Sequence, residues 1–374
     1  MIIGVLKEPS PETRVSLLPE HITILKKWNV DVCVETTAGT HAFANDQKYI
    51  EAGATVKSRN EVLQSSEIIL SINAPVTSDI PHLASKIFLG VYQCLFNTAL
   101  IKELAEKGVT VFSMDMLPRT TRAQSMDVLS SQANIAGYKA VLLASNIFPK
   151  YFPMFMTAAG SIPPAKLLIL GAGVAGLQAI ATGRRLGAVV EVFDTRPAVK
   201  EEVMSLGAKF IEVEGAADSS KAGGYAVEQS EDFMQRQKAK IAESVAKADI
   251  IVTTAQIPGK KAPILITAEM MEAMKSGSVI IDLAAATGGN TDYTKNEETV
   301  VHNGVSIIGN SNLPASMPSD ASKLYGKNIL NFLQLMIDKE GKFNLNFEDD
   351  LVKGTCVAHG GAITNERVKQ AIGN

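Results

Sequence analysis

A glycine-rich turn between a short apolar run and a helical pattern constrains the fold of this chain more than any other feature. Residues 167–176 have the sequence Leu-Leu-Ile-Leu-Gly-Ala-Gly-Val-Ala-Gly. The spacing G-x-G-x-x-G directly after a buried strand is typical of a dinucleotide-binding βαβ unit. Gly171 would make the tight turn, Gly173 would let a pyrophosphate approach the backbone, and Gly176 would let the helix pack on the strand. The predicted phosphate loop also contains Ala172, Val174 and Ala175.

The strand that follows this loop ends in an acid. Residues 189–193 are apolar except for one glutamate, and Asp194 comes next. A carboxylate at this place can accept hydrogen bonds from both adenine-ribose hydroxyls and repels a 2′-phosphate. Arg196 could serve a 2′-phosphate, yet the acid favours NAD(H). The alternative is a glycine turn that serves only packing, with Asp194 capping the next helix. The predicted nucleotide-binding residues also include Thr195 and Gln256.

Short apolar runs alternate with amphipathic helical patterns along most of the chain, as in parallel βαβ units. The first series of predicted strands covers residues 2–6, 31–35, 67–72, 87–92 and 109–113. The second covers residues 167–170, 189–193, 209–212, 249–253, 278–282 and 305–308. Helices are predicted over residues 19–28, about 125–146 and 320–338, and the proline-rich residues 150–164 are predicted to be a connection.

The length predicts two domains, because 374 residues are about twice the usual domain size of about 150. About 60 residues follow the second series of strands, and we expect them to fold back onto the first domain. The predicted fold class is therefore α/β, with two doubly wound Rossmann-like domains separated by a cleft. The N-terminal domain comprises residues 1–135 and 318–374, and the NAD(H)-binding domain comprises residues 136–317.

Composition excludes several classes of protein. Lys and Arg number 36 against 39 Asp and Glu, for a net charge of -3, which argues against nucleic-acid binding. No uncharged run reaches the roughly 18 apolar residues of a membrane span. The three cysteines are isolated and the five histidines lack metal-ligand spacing, so we predict neither disulfides nor a metal site. A reduced, cytoplasmic enzyme subunit is the expectation.

A polar cluster precedes the long helix predicted near residue 125. Gln124, Asp127 and either Ser130 or Ser131 are three to four residues apart, which would place them on one helical face. Such amide, carboxylate and hydroxyl groups could hold a carboxamide, and Arg119 could anchor a phosphate or Asp127. The alternative is an ordinary helix start, with Ser or Thr at the N-cap and Asp in the first turn.

A long connection between residues 212 and 229 is rich in small residues and carries one aromatic side chain, Tyr225. Long connections in compact domains are often lids or flexible insertions. As a lid, this segment would close Tyr225 over a bound nucleotide. As an insertion, it would have no function.

Together these motifs resemble the alanine dehydrogenase and nicotinamide nucleotide transhydrogenase family, and within it the transhydrogenase branch. The resemblance spans nearly the whole chain. It includes Gly-Val-Leu-Lys-Glu-Pro at 4–9, Glu-Thr-Arg-Val at 12–15, residues 122–132, Phe-Asp-Thr-Arg-Pro at 193–197, Val-Met-Ser-Leu-Gly-Ala at 203–208 and Lys-Leu-Tyr-Gly-Lys-Asn at 323–328.

The resemblance implies a function and roles for the polar cluster. Arg119, Gln124, Asp127 and Ser130 would position the dihydronicotinamide, and Tyr225 would lie on a mobile loop that closes at hydride transfer. The chain would pass hydride from NADH to NADP+ held by a partner subunit. Membrane-embedded partners would couple this to proton translocation. A homodimer is implied, attached to the cytoplasmic face of the inner membrane only through those partners.

Departures from the family's other branch leave two alternatives. Alanine dehydrogenases bind pyruvate with a lysine, a histidine and an arginine, where this chain has Asn73, Gln93 and Arg14. Neither Asn73 nor Gln93 can donate a proton to a ketone or imine, which disfavours keto-acid chemistry. The alternatives are an alanine-dehydrogenase-like amino-acid dehydrogenase and a non-enzymatic NAD(H)-sensing module.

Overall fold

The computed structural model describes residues 1–213, 215 and 230–373 of the chain. Contacts between residues divide the chain into two units. The first is Met1–Gln132 with Ala315–Asn374, and the second is Ala133–Pro314. Each unit contains a mostly parallel sheet with helices between its strands.

The first sheet is parallel except at one edge, where strands from the end of the chain join it. Its strands lie in the order β17-β16-β6-β5-β4-β1-β2-β3. They are β1 Ile2–Val5, β2 Asp31–Glu35, β3 Thr55–Lys57, β4 Ile68–Leu70, β5 Ile87–Gly90, β6 Thr110–Ser113, β16 Cys356–His359 and β17 Ala362–Ile363. Strand β16 runs antiparallel to β6. The chain order reverses between β1 and β4, which is where open α/β sheets usually bind ligands.

Burial on both faces explains why these strands are continuous apolar runs rather than alternating ones. In β4, Ile68 and Leu70 belong to a core cluster that also contains Ile329. Ile69 belongs to the cluster on the other side, with Phe88. All three β4 residues are fully buried.

The second sheet has the order β11-β10-β9-β12-β13-β15-β14. Its strands are β9 Lys166–Leu170, β10 Val189–Phe193, β11 Lys209–Phe210, β12 Ile250–Thr253, β13 Val279–Asp282, β14 Thr299–His302 and β15 Val305–Ile308. All neighbouring pairs are parallel except β14 with β15. The order reverses between β9 and β12, so the glycine turn after β9 lies at the switch point of this sheet.

The helices follow the predicted alternation. They are α1 Pro19–Lys27, α2 Asp46–Glu51, α3 Arg59–Ser65, α4 Thr98–Glu106, α5 Val128–Ile147, α6 Val174–Arg185, α7 Lys200–Ser205, α8 Glu231–Lys247, α9 Ala268–Glu272, α10 Pro318–Leu333, α11 Asp350–Thr355 and α12 Glu366–Gly373. Pro19 is the first residue of α1, a position that its fixed φ and missing N–H suit.

Three details differ from the sequence predictions. Residues 150–164 are not a plain connection, because β7 Phe155–Thr157 and β8 Gly160–Ile162 form an antiparallel hairpin there. The long helix begins at Val128 rather than near residue 125, since Thr121–Met126 is a 3-10 helix. Strands β3, β14, β16 and β17 were not predicted; they have two to four residues each.

Candidate functional site

The glycine turn has the geometry that its sequence predicts. Gly171 follows β9 with a φ of +107°, a conformation that favours glycine. A Cβ built on Gly176 would lie 1.9 Å from the carbonyl oxygen of Gly171, so only glycine allows α6 to start this close to the strand. The loop of Gly171, Ala172 and Gly173 therefore leads directly into Val174, Ala175 and Gly176 at the start of α6.

The start of α6 suits a pyrophosphate. The first N–H groups of any α-helix have no acceptor within the helix and carry the positive end of its dipole. Gly173 is the N-cap, and none of the described side chains caps it. A Cβ built on Gly173 meets no heavy atom within 4 Å, so the space in front of these N–H groups is open. An anion fits that space.

Two glycine substitutions should separate packing from nucleotide binding. We expect Gly176→Ala to lower the melting temperature by several degrees, because its Cβ meets backbone atoms that cannot move cheaply. Gly173→Ala should melt like the wild type yet bind NADH at least about tenfold more weakly, because its methyl group fills the pyrophosphate space. Calorimetry and NADH titration measure the two effects. Unchanged NADH affinity in Gly173→Ala would contradict this placement of the pyrophosphate.

Asp194 connects the acidic end of β10 to the glycine turn. Its Oδ2 accepts the backbone N–H of Ala172 at 2.7 Å. Its Oδ1 accepts both the backbone N–H and the Nε–H of Arg196 at 2.8 Å, and Nη2 of Arg196 donates to Oδ2 at 2.7 Å. Hydrogen bonding to Asp194 raises the pKa of Arg196. This ion pair places Arg196 beside the carboxylate that is predicted to bind the ribose.

An apolar crevice of about 370 Å³ opens beside Asp194. The rings of Phe193, Phe210 and Phe233 line it, and Thr195 lies at its edge. Such a lining suits a planar aromatic ring next to a carboxylate. Gln256 is exposed after β12, and its Nε2 donates to the carbonyl of Leu283 at 3.0 Å.

The polar cluster of the first unit centres on Asp127 and Ser130. Oδ1 of Asp127 accepts the backbone N–H of Ser130 at 2.9 Å, and Oδ2 accepts its hydroxyl at 2.6 Å. Asp127 therefore caps α5, while Gln124 is exposed on the preceding 3-10 helix. The prediction that Gln124, Asp127 and Ser130 share one helical face was wrong, because the backbone is extended at Asp127. Arg119 is exposed on the connection before this segment.

Tyr225 lies outside the described residues, so its predicted role in a closing loop stays a prediction.

A buried ionic cluster that the sequence analysis missed lies at the switch point of the first sheet. Glu8 follows β1, and its side chain accepts N–H groups of Ile72 at 2.5 Å and of Asn73 at 3.2 Å, as well as Nδ2 of Asn73 at 3.0 Å. Glu8 is 6% exposed, and this burial raises its pKa to about 7, although the three donors oppose the shift. The available signal was a glutamate directly after a predicted strand, at the ligand-binding edge of the sheet.

Arg14, Asn73 and Gln93 are built into the same edge of the sheet. Arg14 is buried and donates to Glu12 through Nε at 2.9 Å and Nη2 at 2.7 Å. Its Nη1 donates to Gln132 at 2.8 Å. Asn73 is bonded to Glu8, and Gln93 is exposed after β5 with a φ of +48°. Two carboxylates and one guanidinium give the Glu8, Glu12 and Arg14 set no excess of positive charge for a carboxylate ligand.

Glu8 should make the stability of the protein depend on pH. Its pKa in the folded protein is about 7 against an ordinary value of 4.5, so the folded state holds this proton more tightly. The stabilisation is present below 4.5 and is lost as the pH rises through 7. The full effect is roughly 3 kcal/mol, at about 1.4 kcal/mol per pKa unit.

Denaturant unfolding between pH 4.5 and 8 tests this expectation. The free energy of unfolding of the wild type minus that of Glu8→Gln should fall with rising pH. Taking the difference cancels the opposite contribution of His21, whose pKa burial lowers to about 4. A difference that stays constant over this range would show that Glu8 does not titrate as expected.

Two family descriptions match the chain, and together they cover most of it. They are the alanine dehydrogenase/PNT N-terminal domain over residues 4–136 and the alanine dehydrogenase/PNT C-terminal domain over residues 140–366. The chain belongs to this family. The family resemblance predicted from the sequence is therefore confirmed.

Within the alanine dehydrogenase/PNT family the chain is most like transhydrogenase proteins. The first of the chains named NAD(P) transhydrogenase subunit alpha in Rhodospirillum rubrum is 44% identical, over 98% of this chain and 98% of the relative. NAD(P) transhydrogenase subunit alpha of Haemophilus influenzae is 44% identical, over 96% of this chain and 71% of the relative. A solved structure of transhydrogenase from Sinorhizobium meliloti has a TM-score of 0.88 at 43% identity, over 97% of this chain and all of that one.

Alanine dehydrogenases are more distant members of the family. The enzyme of Staphylococcus haemolyticus is 26% identical over all of this chain and 96% of its own. A solved L-alanine dehydrogenase, at 24% identity and a TM-score of 0.82, shares the fold. The predicted transhydrogenase branch, the α/β fold with two doubly wound domains and NAD(H) as cofactor are thereby confirmed. The chain is a subunit of an oxidoreductase of the transhydrogenase type.

The names of these relatives call them subunits, which indicates a multi-subunit enzyme. In the described part of the chain, no helix combines the length and apolar character that crossing a membrane requires.

Proposed function

We propose that this chain is the NAD(H)-binding subunit of a proton-translocating NAD(P)+ transhydrogenase. It passes a hydride reversibly from NADH to NADP+ bound on a partner subunit, and membrane-embedded subunits couple the transfer to proton translocation. The observation that carries the proposal is a nucleotide fold with an open α6 N-terminus in a chain 44% identical to transhydrogenase alpha subunits.

The second unit holds the adenine and phosphate end of NADH. The pyrophosphate lies against the N–H groups of Val174 and Ala175, in the open space in front of Gly173. Asp194 accepts the ribose hydroxyls, which requires Arg196 to give up at least one of its three bonds to that carboxylate. Thr195 and the aromatic crevice lie beside the adenine. Gln256 contributes from the end of β12.

The first unit orients the nicotinamide end. Each oxygen of Asp127 receives one hydrogen bond from Ser130 and has a further lone pair. An amide N–H of the nicotinamide carboxamide can take that place. The exposed Gln124 amide and Arg119 guanidinium supply the remaining donors, and Tyr225 closes over the nucleotide.

The reaction needs orientation more than acid or base catalysis. A hydride leaves C4 of the dihydronicotinamide with its electron pair and joins C4 of the other nicotinamide, so NADH becomes NAD+ as NADP+ becomes NADPH. No proton enters or leaves in this step. The residues of this chain therefore act by holding one ring at the right distance and angle, and positioning is worth several kcal/mol in such reactions.

Reconstitution tests the proposal directly. The purified chain is mixed with an NADP(H)-binding domain of a transhydrogenase, and hydride transfer from NADH to an NADP+ analogue is followed after NADH binding is confirmed. Transfer that requires both proteins is expected. Bound NADH without transfer would contradict the proposal for that partner, and NADH oxidation with pyruvate and ammonium would support an amino-acid dehydrogenase instead.

We also propose that the chain forms a homodimer at the cytoplasmic face of the inner membrane, attached through its partner subunits. The hairpin of β7 and β8 supports a dimer, because all six of its strand residues are exposed. Its apolar members are Phe155, Met156 and Ile162, and Met156 is 76% exposed. A two-stranded hairpin is only marginally stable in water, and a second copy of the chain would cover it symmetrically.

A single charge on this hairpin should dissociate the dimer. We expect Met156→Glu to weaken self-association by at least about tenfold, since the interface would bury an unpaired carboxylate. Sedimentation velocity over a range of concentrations measures the effect. Met204→Glu is the control, because Met204 is also exposed, at 55%, but lies on α7. A monomeric wild type, or an undisturbed dimer in Met156→Glu, would contradict the assignment.

A further inference from the structure

Two amide side chains of α10 hold one carbonyl group in the polar cluster of the first unit. Nδ2 of Asn328 donates to the carbonyl oxygen of Ser125 at 2.9 Å, and Nδ2 of Asn331 donates to the same oxygen at 2.8 Å. Ser125 lies directly after Gln124 and two residues before Asp127. The carbonyl that α10 holds is therefore in the middle of the predicted nicotinamide-binding segment.

Asn328 also contacts the other side of Asp127. Its Oδ1 accepts the hydroxyl of Ser131 at 2.7 Å, one residue after Ser130 in α5. Asn328 is 7% exposed, so both of its bonds are shielded from water. One buried side chain thus connects the segment before Asp127 to the helix after it.

The segment that carries Gln124 depends on such contacts, because its own structure is weak. Thr121–Met126 is a 3-10 helix, whose hydrogen bonds have poorer geometry than those of an α-helix, and its N-cap Thr120 makes no side-chain cap. Arg122 pairs with Asp349 at 2.7 Å, but the arginine is half exposed and such pairs contribute little. The buried bonds of Asn328 are stronger constraints on this segment.

We propose that Asn328 is a positioning residue for hydride transfer, which sets the relative placement of Gln124, Asp127 and Ser130. The proposal rests on the proposed function of that cluster. It assigns a functional role to the C-terminal part of the first unit, which otherwise completes its fold. Asn331 supports the same carbonyl from a less buried position.

Replacing Asn328 by aspartate gives a test that a merely structural role would not pass. In Asn328→Asp, an ionised carboxylate cannot donate to the Ser125 carbonyl, and its charge faces that oxygen. A protonated carboxyl has the shape of the asparagine amide and can donate to Ser125 while accepting from Ser131. Burial raises the pKa of such a carboxyl. Hydride transfer by Asn328→Asp, relative to wild type at each pH, should therefore recover as the pH falls from 8.5 to 5.5.

Asn328→Ala cannot recover in this way. We expect its hydride transfer from bound NADH to fall about 10- to 100-fold at every pH, because an error of 1 Å in position can cost about 100-fold. Rates are measured in the reconstituted system and divided by the number of NADH sites found by titration, so that unfolded protein does not count. Asn331→Ala should lose less, and Asn344→Asp, an exposed charge change in the same region of the chain, should match the wild type.

The outcomes separate this inference from the proposed function. Loss of transfer in Asp127→Ser together with pH-dependent recovery in Asn328→Asp supports the inference. Loss in Asp127→Ser with wild-type transfer in both Asn328 variants overturns it, as does a loss in Asn328→Asp that is the same at every pH. Transfer that is unaffected in Asp127→Ser would instead overturn the assignment of the cluster itself.

Discussion

Replacing Asp127 by serine is expected to slow hydride transfer from bound NADH by about 100-fold or more, with little loss of stability. The carboxylate of Asp127 both caps α5 through the N–H of Ser130 and offers lone pairs to the nicotinamide carboxamide. Serine is also a favoured N-cap residue, so it keeps the first of these roles and loses the second.

The measurement is single-turnover hydride transfer in the reconstituted system, beside NADH affinity and melting temperature. Asp127→Ala is the matched variant, because it loses both roles and should also be destabilised by about 1 kcal/mol. If Asp127→Ser and Asp127→Ala differ only in stability and both transfer hydride normally, Asp127 is an ordinary helix cap and the sensor alternative gains support.

Replacing Asp194 by asparagine is expected to weaken NADH binding by about 10- to 100-fold, since hydrogen bonds to a charged group contribute about 1.5–3 kcal/mol. NADPH should lose less affinity or gain some, because the repulsion of its 2′-phosphate disappears and Arg196 is released from its partner. The preference for NADH over NADPH should therefore narrow.

Titration of both nucleotides measures this change. Glu191→Gln is the control, because Glu191 lies on the same strand but pairs with the exposed Lys209 at 3.0 Å. Equal losses for NADH and NADPH would mean that Asp194 acts only by holding the N–H of Ala172, as a structural component of the loop.

The nucleotide loop could be predicted from the sequence because its determinants are local. A buried strand, three glycines at fixed spacing and an acid at the end of the next strand each constrain the backbone within a few residues. Gly171 and Gly176 have the conformation and the close approach that this pattern requires. The alternation of strands and helices was visible for the same reason.

Partners that come from distant regions of the chain could not be predicted in this way. The acid Glu8 is bonded to Asn73, and Ser125 is bonded to Asn328, 203 residues away in the sequence. No local pattern indicates which amide will meet which carbonyl. Strand β16 is likewise short and adds to an existing edge, so its four residues carry little periodicity.

Asp127 illustrates a third cause of error, a change of helix type. Spacings of three and four residues predict a shared face only while the α-helical period continues. A 3-10 helix followed by one extended residue interrupts that period. The residues of the cluster were identified correctly as neighbours in sequence, but their relative directions were not.

The first unit contains segments from both ends of the sequence, which affects the order in which the protein can fold as it is synthesised. Domains generally fold as units during translation, which adds about 5–20 residues per second. Residues 133–314 are continuous and can fold once they have left the ribosome. Strand β6 has no β16 beside it, and Ser125 has no Asn328, until residues 315–374 have followed. The growing chain can therefore acquire its nucleotide fold many seconds before the reacting end is assembled.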